Sequence, residues 1–352
     1  MTRYEDNRLV LADPRFSRAA AAAPGAPRAR RVPLEAASLT TLDPPEHTRV
    51  RRLVMGAFTE RRIARFADRV QEFAEKLFAR MALHGPPADL VADLARPLPF
   101  MTICDILGVP ASVHDRFRSW TETYLNVTGR EPAEIERAGE SLRGHLRELV
   151  ALKRREPGED LLSALVAARD EELLSESELV ALGVTLLVAG YETVVGYLSG
   201  AVVALFRHPD QLDRLRAVPG LVPTAVEELL RYTPAPATGG TIRVALEEVR
   251  IGGVTIAPGE AVLPAITSAD RDAAVFSAPD RLDVTRTPNP HLAFGHGPHR
   301  CLGAPLARAQ LTIALGGLLR HFPALRPAVP VEELEWQTTG MVRRPVALPV
   351  IW

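Results

Sequence analysis

The stretch that decides the fold is Phe294-Gly-His-Gly-Pro-His-Arg-Cys301-Leu-Gly303, a glycine-rich loop that carries one cysteine. A helical pattern follows over residues 305–321, so the cysteine lies directly before a helix. Glycines let the backbone lie close to a flat ligand and leave amide groups free to hydrogen-bond a sulfur atom. The positive end of the helix dipole favours a thiolate at this place. The loop therefore predicts a metal-binding thiolate at Cys301.

This loop resembles the haem-binding signature of the cytochrome P450 family, Phe-Gly-x-Gly-x-His-x-Cys-x-Gly, at every fixed position. The resemblance is specific and extends over nearly the whole chain, from Leu9 to Trp352. It implies a mainly α-helical fold with small β-sheets, in which Cys301 is the axial ligand of the iron of haem b. Four further loop residues are implied as cofactor contacts: Phe294, Gly295, His299 and Gly303.

A structural thiol and a zinc ligand are two further roles that a cysteine can have. A lone cysteine is more often a buried structural thiol, but the glycine-rich loop around Cys301 argues against that role. Zinc binding would need histidine ligands from the same segment, and their spacing fits no common zinc pattern. The candidate zinc donors are His291, His296, His299 and Cys301. A single thiolate beside the apolar Phe294 suits haem better.

A second motif is Glu228-Leu-Leu-Arg231, whose charged ends lie three residues apart and so share one helical face. Such pairs usually lie on a solvated surface and contribute little. The P450 family carries the same Glu-x-x-Arg before its cysteine, with a third partner arginine in between, and Arg281 matches that partner. The resemblance thus implies a buried network that supports the cysteine loop and is costly to break from one side.

Basic side chains for the two haem propionates are also present. His47 and Arg51 lie four residues apart on a helix that we expect Asp43 to cap, so both point the same way. Buried carboxylates need donors with fixed positive charge. By resemblance, Arg243 and His299 complete a set of four propionate donors. Taken alone, Arg51 would be one more exposed arginine.

The segment 186–195 is apolar enough for a core helix, yet it contains Glu192, Thr193 and Gly190, a glycine that costs a helix about 1 kcal/mol. It resembles the distal-helix motif Ala-Gly-x-(Glu/Asp)-Thr. By resemblance, Gly190 lets the helix approach the haem, Thr193 orders hydrogen bonds to oxygen, and Glu192 connects them to solvent. The alternative for Thr193 is a hydrogen bond to its own helix backbone. Tyr191 departs from the small or imidazole residue that is common there.

Length and composition indicate the general class of protein that carries these motifs. The 352 residues are 47% hydrophobic with a formal net charge of -1, which favours a globular protein and gives no electrostatic case for nucleic acid. Helical periodicity dominates residues 46–231, and short strands follow. We expect a single haem domain over residues 1–352. No secretory signal or membrane anchor is recognisable, so we expect a cytoplasmic protein.

The start of the chain departs from the resemblance. Soluble P450s carry a few dozen residues before the segment at Tyr4, which supply a first helix and an opening strand. Two possibilities stay open: the true start lies upstream, or the access route is wider and suits a peptide-like or carrier-bound substrate.

No flavin- or nucleotide-binding motif is present, so the electrons must come from a separate protein. The resemblance implies a ferredoxin with its reductase or a flavodoxin-type donor. Such donors tend to be acidic, and arginines on the cysteine side are candidate contacts. These candidates are Arg52, Arg61, Arg62 and Arg300.

The predicted function is that of a monooxygenase that uses dioxygen and two electrons to oxidise a hydrophobic, secondary-metabolite-type substrate. Candidate substrate contacts are Pro236, Ala237, Gly240 and Met341. One alternative is oxidative C–C or C–N coupling, or crosslinking, of a peptide or carrier-bound aromatic substrate by the same centre. Another is a haem sensor or carrier without turnover. The acid and alcohol of Glu192 and Thr193 argue against the sensor, because gas binding needs no proton relay.

Overall fold

The computed structural model describes residues 1–27, 38–58, 60–125, 129–170, 174–234, 240–337, 340 and 342–352. The described α-helices are α1 Tyr4–Ala12, α2 Arg18–Ala22, α3 Glu46–Ala57, α4 Glu60–His84, α5 Pro97–Leu107, α6 His114–Tyr124, α7 Pro132–Arg155, α8 Leu161–Asp170, α9 Glu176–Arg207, α10 Pro209–Ala217, α11 Val222–Tyr232, α12 Ile266–Ala269 and α13 Ala304–His321. The described strands are β1 Phe16–Ser17, β2 Ala88–Asp89, β3 Arg243–Ala245, β4 Val249–Ile251, β5 Val254–Ile256, β6 Ala261–Val262, β7 Arg326–Pro327, β8 Trp336–Gln337, β9 Arg344–Pro345 and β10 Pro349–Ile351. The predicted fold class, mainly α with small β-sheets, is confirmed.

Helix α9 runs through the middle of the molecule and packs against α5, α7 and α13. A capping box begins it, in which Ser175 and Glu178 exchange hydrogen bonds between side chain and backbone. By length and composition α9 could cross a membrane, but 67% of its most apolar window is buried inside the protein. Burial among the other helices therefore accounts for its apolar sequence.

The strands form short antiparallel sheets at the edge of the helical body. One sheet has the order β1-β3-β6 and another the order β2-β10-β7, while β4-β5 and β8-β9 are two-stranded. In the first sheet Ser17 pairs with Val244. This register brings Arg18, which follows β1, close to Arg243 at the start of β3.

The N-terminus of α3 differs from the prediction. Its N-cap residue is Pro45, and no side chain caps it. The Asp43 carboxylate instead accepts hydrogen bonds from the Ser17 hydroxyl and, at 2.9 Å, from the Arg18 amide. Asp43 is thus drawn to the start of α2, because the fold places unpaired amide groups of that helix within its reach.

Candidate active site

A cavity of about 450 Å³ lies between α9 and the cysteine loop. Helix α9 contributes Ala189 and Thr193 to its wall, and the loop contributes Phe294 and Cys301. The guanidinium groups of Arg18 and Arg243 and the imidazole of His299 line it as well. The cavity therefore combines an apolar body with a group of positive charges.

The glycines of the loop allow it to fold tightly beneath the cavity. Gly295 and Gly297 have φ angles of 69° and 70°, in the left-handed region. A Cβ atom on Gly297 would lie 2.6 Å from the Leu11 carbonyl oxygen, so no other residue fits there. The Cys301 amide donates to the Phe294 carbonyl at 2.8 Å, which closes the loop.

Cys301 is accessible from the cavity, and the Gly303 amide and the guanidinium groups of Arg51, Arg300 and Arg308 act on its sulfur. Burial raises the pKa of the Cys301 thiol, while the Gly303 amide and the Arg51 guanidinium lower it. The net direction is upward, because burial outweighs these contacts. A metal cation at the sulfur would supply the missing stabilisation of the charged form.

Cys104 makes a clear contrast. It is 1% exposed within α5, and burial raises the pKa of its thiol to about 12. Its position agrees with a packing role.

Three of the four predicted propionate donors come together at one end of the cavity. The rings of His47 and His299 lie 4.2 Å apart, and Arg243 is near both. His47 Nε2 and Arg243 Nε are buried and have no hydrogen-bond partner among the described residues. Buried polar atoms of this kind are normally paired, so they call for a ligand.

The charges of this cluster identify the kind of ligand. Burial, together with the neighbouring His47 and Arg243, lowers the pKa of His299 to about 3, so this imidazole offers the ligand a hydrogen bond and not a charge. Burial and Arg18 lower the pKa of Arg243 to about 10. Asp43 supplies one negative charge beside them. A group with two carboxylates and an apolar body fits this cavity, and haem has that chemistry.

The fourth predicted donor, Arg51, has a different contact. Its guanidinium donates to the Arg300 carbonyl oxygen at 2.7 Å, and so it holds the backbone of the cysteine loop. Arg18 was not predicted; it is 5% exposed and lines the cavity beside Arg243. Its signal in the sequence is its place directly after the Phe16–Ser17 strand that pairs with β3.

On the opposite wall, Thr193 and Glu192 lie side by side on α9 and both line the cavity. The Thr193 hydroxyl donates to the Ala189 carbonyl of its own helix at 2.7 Å, and the side chain is nevertheless exposed to the cavity. Glu192 is 7% exposed and forms an ion pair with Arg344, which the sequence did not single out. Burial raises the pKa of the Glu192 carboxyl, against the effect of Arg344.

The two neighbours of this pair on α9 face away from the cavity. A Cβ atom on Gly190 would lie 3.1 Å from Ile103 Cδ1, so this glycine allows α9 to pack on α5. Gly190 is not among the residues that line the cavity, and its predicted role in the approach to the haem stays a prediction. The Tyr191 hydroxyl donates to Glu122 at 3.0 Å, which settles the direction of the phenol.

The predicted network around Glu228 forms, but with a different third member. Arg231 donates to both oxygens of Glu228, at 2.7 and 2.8 Å, and all these side chains are buried. The second arginine on Glu228 is Arg286, at 3.0 Å. Arg281 is exposed and contributes only its backbone carbonyl, which accepts from Arg231 at 3.2 Å. The prediction of Arg281 is wrong because the loop turns its side chain outward.

The remaining predicted residues divide into those that reach the cavity and those outside the described residues. Gly240 lines the cavity, and so does Val342, the neighbour of the predicted Met341 in the sequence. Pro236, Ala237 and Met341 lie outside the described residues. Among the described residues no three His, Cys, Asp or Glu side chains form a metal-binding group, which gives the zinc hypothesis no support.

These features define a haem-thiolate protein: a loop cysteine faces a cavity that has carboxylate-binding cations at one end and an acid–alcohol pair on the other wall. The family described as Cytochrome P450 matches residues 220–350. Nocardicin C N-oxygenase of Nocardia uniformis subsp. tsuyamanensis is 49% identical over 355 residues, covering 100% of this chain and 89% of the relative. Mycinamicin IV hydroxylase/epoxidase of Micromonospora griseorubida is 45% identical, with the same coverage.

Solved structures agree with these relatives. The structure of cytochrome P450mel 107F1, described as having biaryl coupling reactivity, has a TM-score of 0.95 and 43% identity, and covers 100% of this chain and 89% of that one. The chain belongs to the cytochrome P450 family. It is a P450 monooxygenase with a haem-iron cofactor, and not a sensor without turnover.

The cationic end of the cavity leads to a prediction. Replacing Arg243 with alanine should speed the loss of haem to an acceptor protein by about 10- to 100-fold, because a charge-assisted hydrogen bond contributes about 1.5–3 kcal/mol. The matched control is Arg52→Ala, which removes an exposed arginine on α3. Haem transfer followed by absorbance measures both rates, and equal rates would contradict the assignment.

Proposed function

We propose that this enzyme uses haem b to insert one oxygen atom of dioxygen into a hydrophobic, secondary-metabolite-type substrate. The observation that carries this proposal is the shared cavity, in which Cys301 faces Thr193 and Glu192. When bound, the haem supplies the activation of dioxygen with two electrons. The second oxygen atom leaves as water, so each turnover needs two protons at the cavity wall.

The chain's own residues provide a route for these protons. The Thr193 hydroxyl gives its hydrogen to the Ala189 carbonyl and leaves its lone pairs toward the cavity, where they accept a hydrogen bond from water. Glu192, whose pKa is raised by burial, holds a proton closer to neutral pH than an exposed carboxyl does. Thr193 therefore orders the donor, and Glu192 renews the proton.

The test replaces Thr193 with alanine. This variant should fold, bind haem and substrate and accept electrons, yet its product per electron should fall at least about tenfold, since positioned proton transfer contributes about 10²- to 10⁴-fold. The lost electrons should appear as hydrogen peroxide. Glu192→Gln should mainly slow turnover. Product, peroxide and reductant consumption are measured together.

The control for this test is Ser199→Ala. Ser199 lies on the same helix and donates to the Val195 carbonyl in the same way, at 2.6 Å, but it is fully buried. Its loss should leave product per electron unchanged. Unchanged product per electron in Thr193→Ala would show that this pair is not the relay.

Oxidative coupling is the second candidate. A relative at 43% identity is described as having biaryl coupling reactivity, and the same cavity would serve hydrogen removal from an aromatic substrate. Labelled dioxygen separates the two reactions: insertion carries the label into the product, and coupling does not.

We also propose that a separate ferredoxin with its reductase, or a flavodoxin-type protein, delivers the electrons to the cysteine side of a cytoplasmic enzyme. The exposed Arg52 and Arg300 support this, because they present positive charge beside the cysteine loop. The positive charge of Arg51 on the Arg300 carbonyl adds to that surface.

A further inference from the structure

Glu192, the acid on the cavity wall, forms an ion pair with Arg344 of the β8–β9 hairpin. Arg344 Nε lies 3.3 Å from Glu192 Oε2, and the two side chains are 8% and 9% exposed. The same guanidinium donates to the Pro345 carbonyl at 3.3 Å within the hairpin β8–β9. Arg344 thus joins helix α9 to this hairpin through a buried ion pair.

The hairpin also reaches the cavity. Val342, two residues before Arg344, is part of the cavity wall. A Cβ atom on Gly196 of α9 would lie 2.1 Å from Val342 Cγ1, so the hairpin packs directly against the helix where a glycine leaves room. A substrate that fills the cavity therefore contacts the same hairpin that holds Glu192.

We propose that Arg344 is a positioning residue for Glu192, which fixes the carboxylate for proton delivery and links it to the substrate-contacting hairpin. This inference rests on the proposed function of Glu192.

The charges that face Glu192 single out Arg344. The charged side chains that face Glu192 are Arg344 on β9, Glu122 on α6 and Arg96, which directly precedes α5. Arg96 and Glu122 pair with each other, and Tyr191 donates to Glu122. The arginine that compensates the Glu192 carboxylate directly is therefore Arg344. An opposite charge at this distance lowers the pKa of a carboxyl by about 1–3 units.

The first experiment replaces Arg344 with glutamine in the haem-loaded enzyme. The pH dependence of turnover that is due to Glu192 should move upward by at least about one unit, because the carboxyl keeps its proton to higher pH without the guanidinium. Arg344→Lys keeps a positive charge and should move it less. The exposed neighbour Arg343, changed to glutamine, is the matched control and should keep the parental profile.

A second readout does not depend on turnover. The loss of Tm in Arg344→Gln should grow between about pH 5 and pH 8, because stability falls as the unpaired buried carboxyl loses its proton. In a Glu192→Gln background the same arginine change should cost a pH-independent amount. This double-mutant cycle isolates the pair from any general effect on the hairpin.

A third variant keeps both charges. Gly196→Ala adds a methyl group where Val342 lies, so it should displace the hairpin and shift the pH profile in the same direction as Arg344→Gln.

The experiments distinguish failure of this inference from failure of the proposed function of Glu192. A parental pH profile in Arg344→Gln, together with a Tm loss that does not change with pH, would overturn this inference. A parental profile in Gly196→Ala would overturn the link to the hairpin. Unchanged turnover and product per electron in Glu192→Gln would instead overturn the proposed function of the acid.

Discussion

Replacing Cys301 with histidine is expected to abolish the red-shifted absorption band of the reduced, carbon monoxide-bound protein, together with substrate oxidation. The thiolate donates electron density to the iron, and a neutral imidazole does not replace that effect. The loop itself should persist, because the Cys301 amide bond to Phe294 and the Arg51 bond to the Arg300 carbonyl involve no sulfur. Absorbance after reduction and carbon monoxide addition measures the band, and reductant-driven turnover measures the activity.

The second cysteine of the chain is the matched control. Cys104→Ala removes a thiol that is buried in α5 and far from ionising. The band should stay at its full height, with a modest loss of stability from the small cavity left behind. Survival of the band in Cys301→His, or its loss in Cys104→Ala, would refute the assignment of the axial ligand.

Arg286→Ala should destabilise the protein by about 3–5 kcal/mol, because it leaves the buried Glu228 with one of its two arginines missing. Arg281→Ala should change the free energy of unfolding by no more than about 0.5 kcal/mol, since the side chain is exposed and the carbonyl that accepts from Arg231 is kept. Urea unfolding of the haem-loaded protein measures both.

Arg286→Lys separates charge from geometry in this network. Lysine keeps the charge on Glu228 but loses the guanidinium bonds to the Ser277 and Ala278 carbonyls. We expect a stability between those of the parent and Arg286→Ala. Equal effects of Arg281→Ala and Arg286→Ala would contradict the network seen here.

The sequence predicts this fold best where one local pattern determines the structure. The cysteine loop is such a pattern, because its glycines, its cysteine and the following helix are contiguous, and each has a local physical reason. Helix α9 is another, since its long run of apolar and small residues in helical register allows few alternatives. The class of the protein follows from these two segments.

Side-chain partners were less predictable, because they depend on how distant segments meet. Arg281 and Arg286 lie in the same irregular loop, and no periodicity tells which of them turns inward. Arg344 lies in a short strand, and it reaches Glu192 because the segment directly before that strand packs on Gly196. Tyr191 faces Glu122 because α9 is covered on that side by α5 and α6.

The cationic end of the cavity should also affect how much folded enzyme a cell contains. Its members come from residues 18, 47, 243 and 299, so this end is complete only when remote parts of the chain have met. Burying the guanidinium groups of Arg18 and Arg243 side by side disfavours the folded chain until a dianionic ligand neutralises them. Haem then acts as a folding ligand, and the folded fraction rises with its free concentration. The abundance of this enzyme should accordingly follow the supply of iron and porphyrin, with proteolysis removing the chains that remain without it.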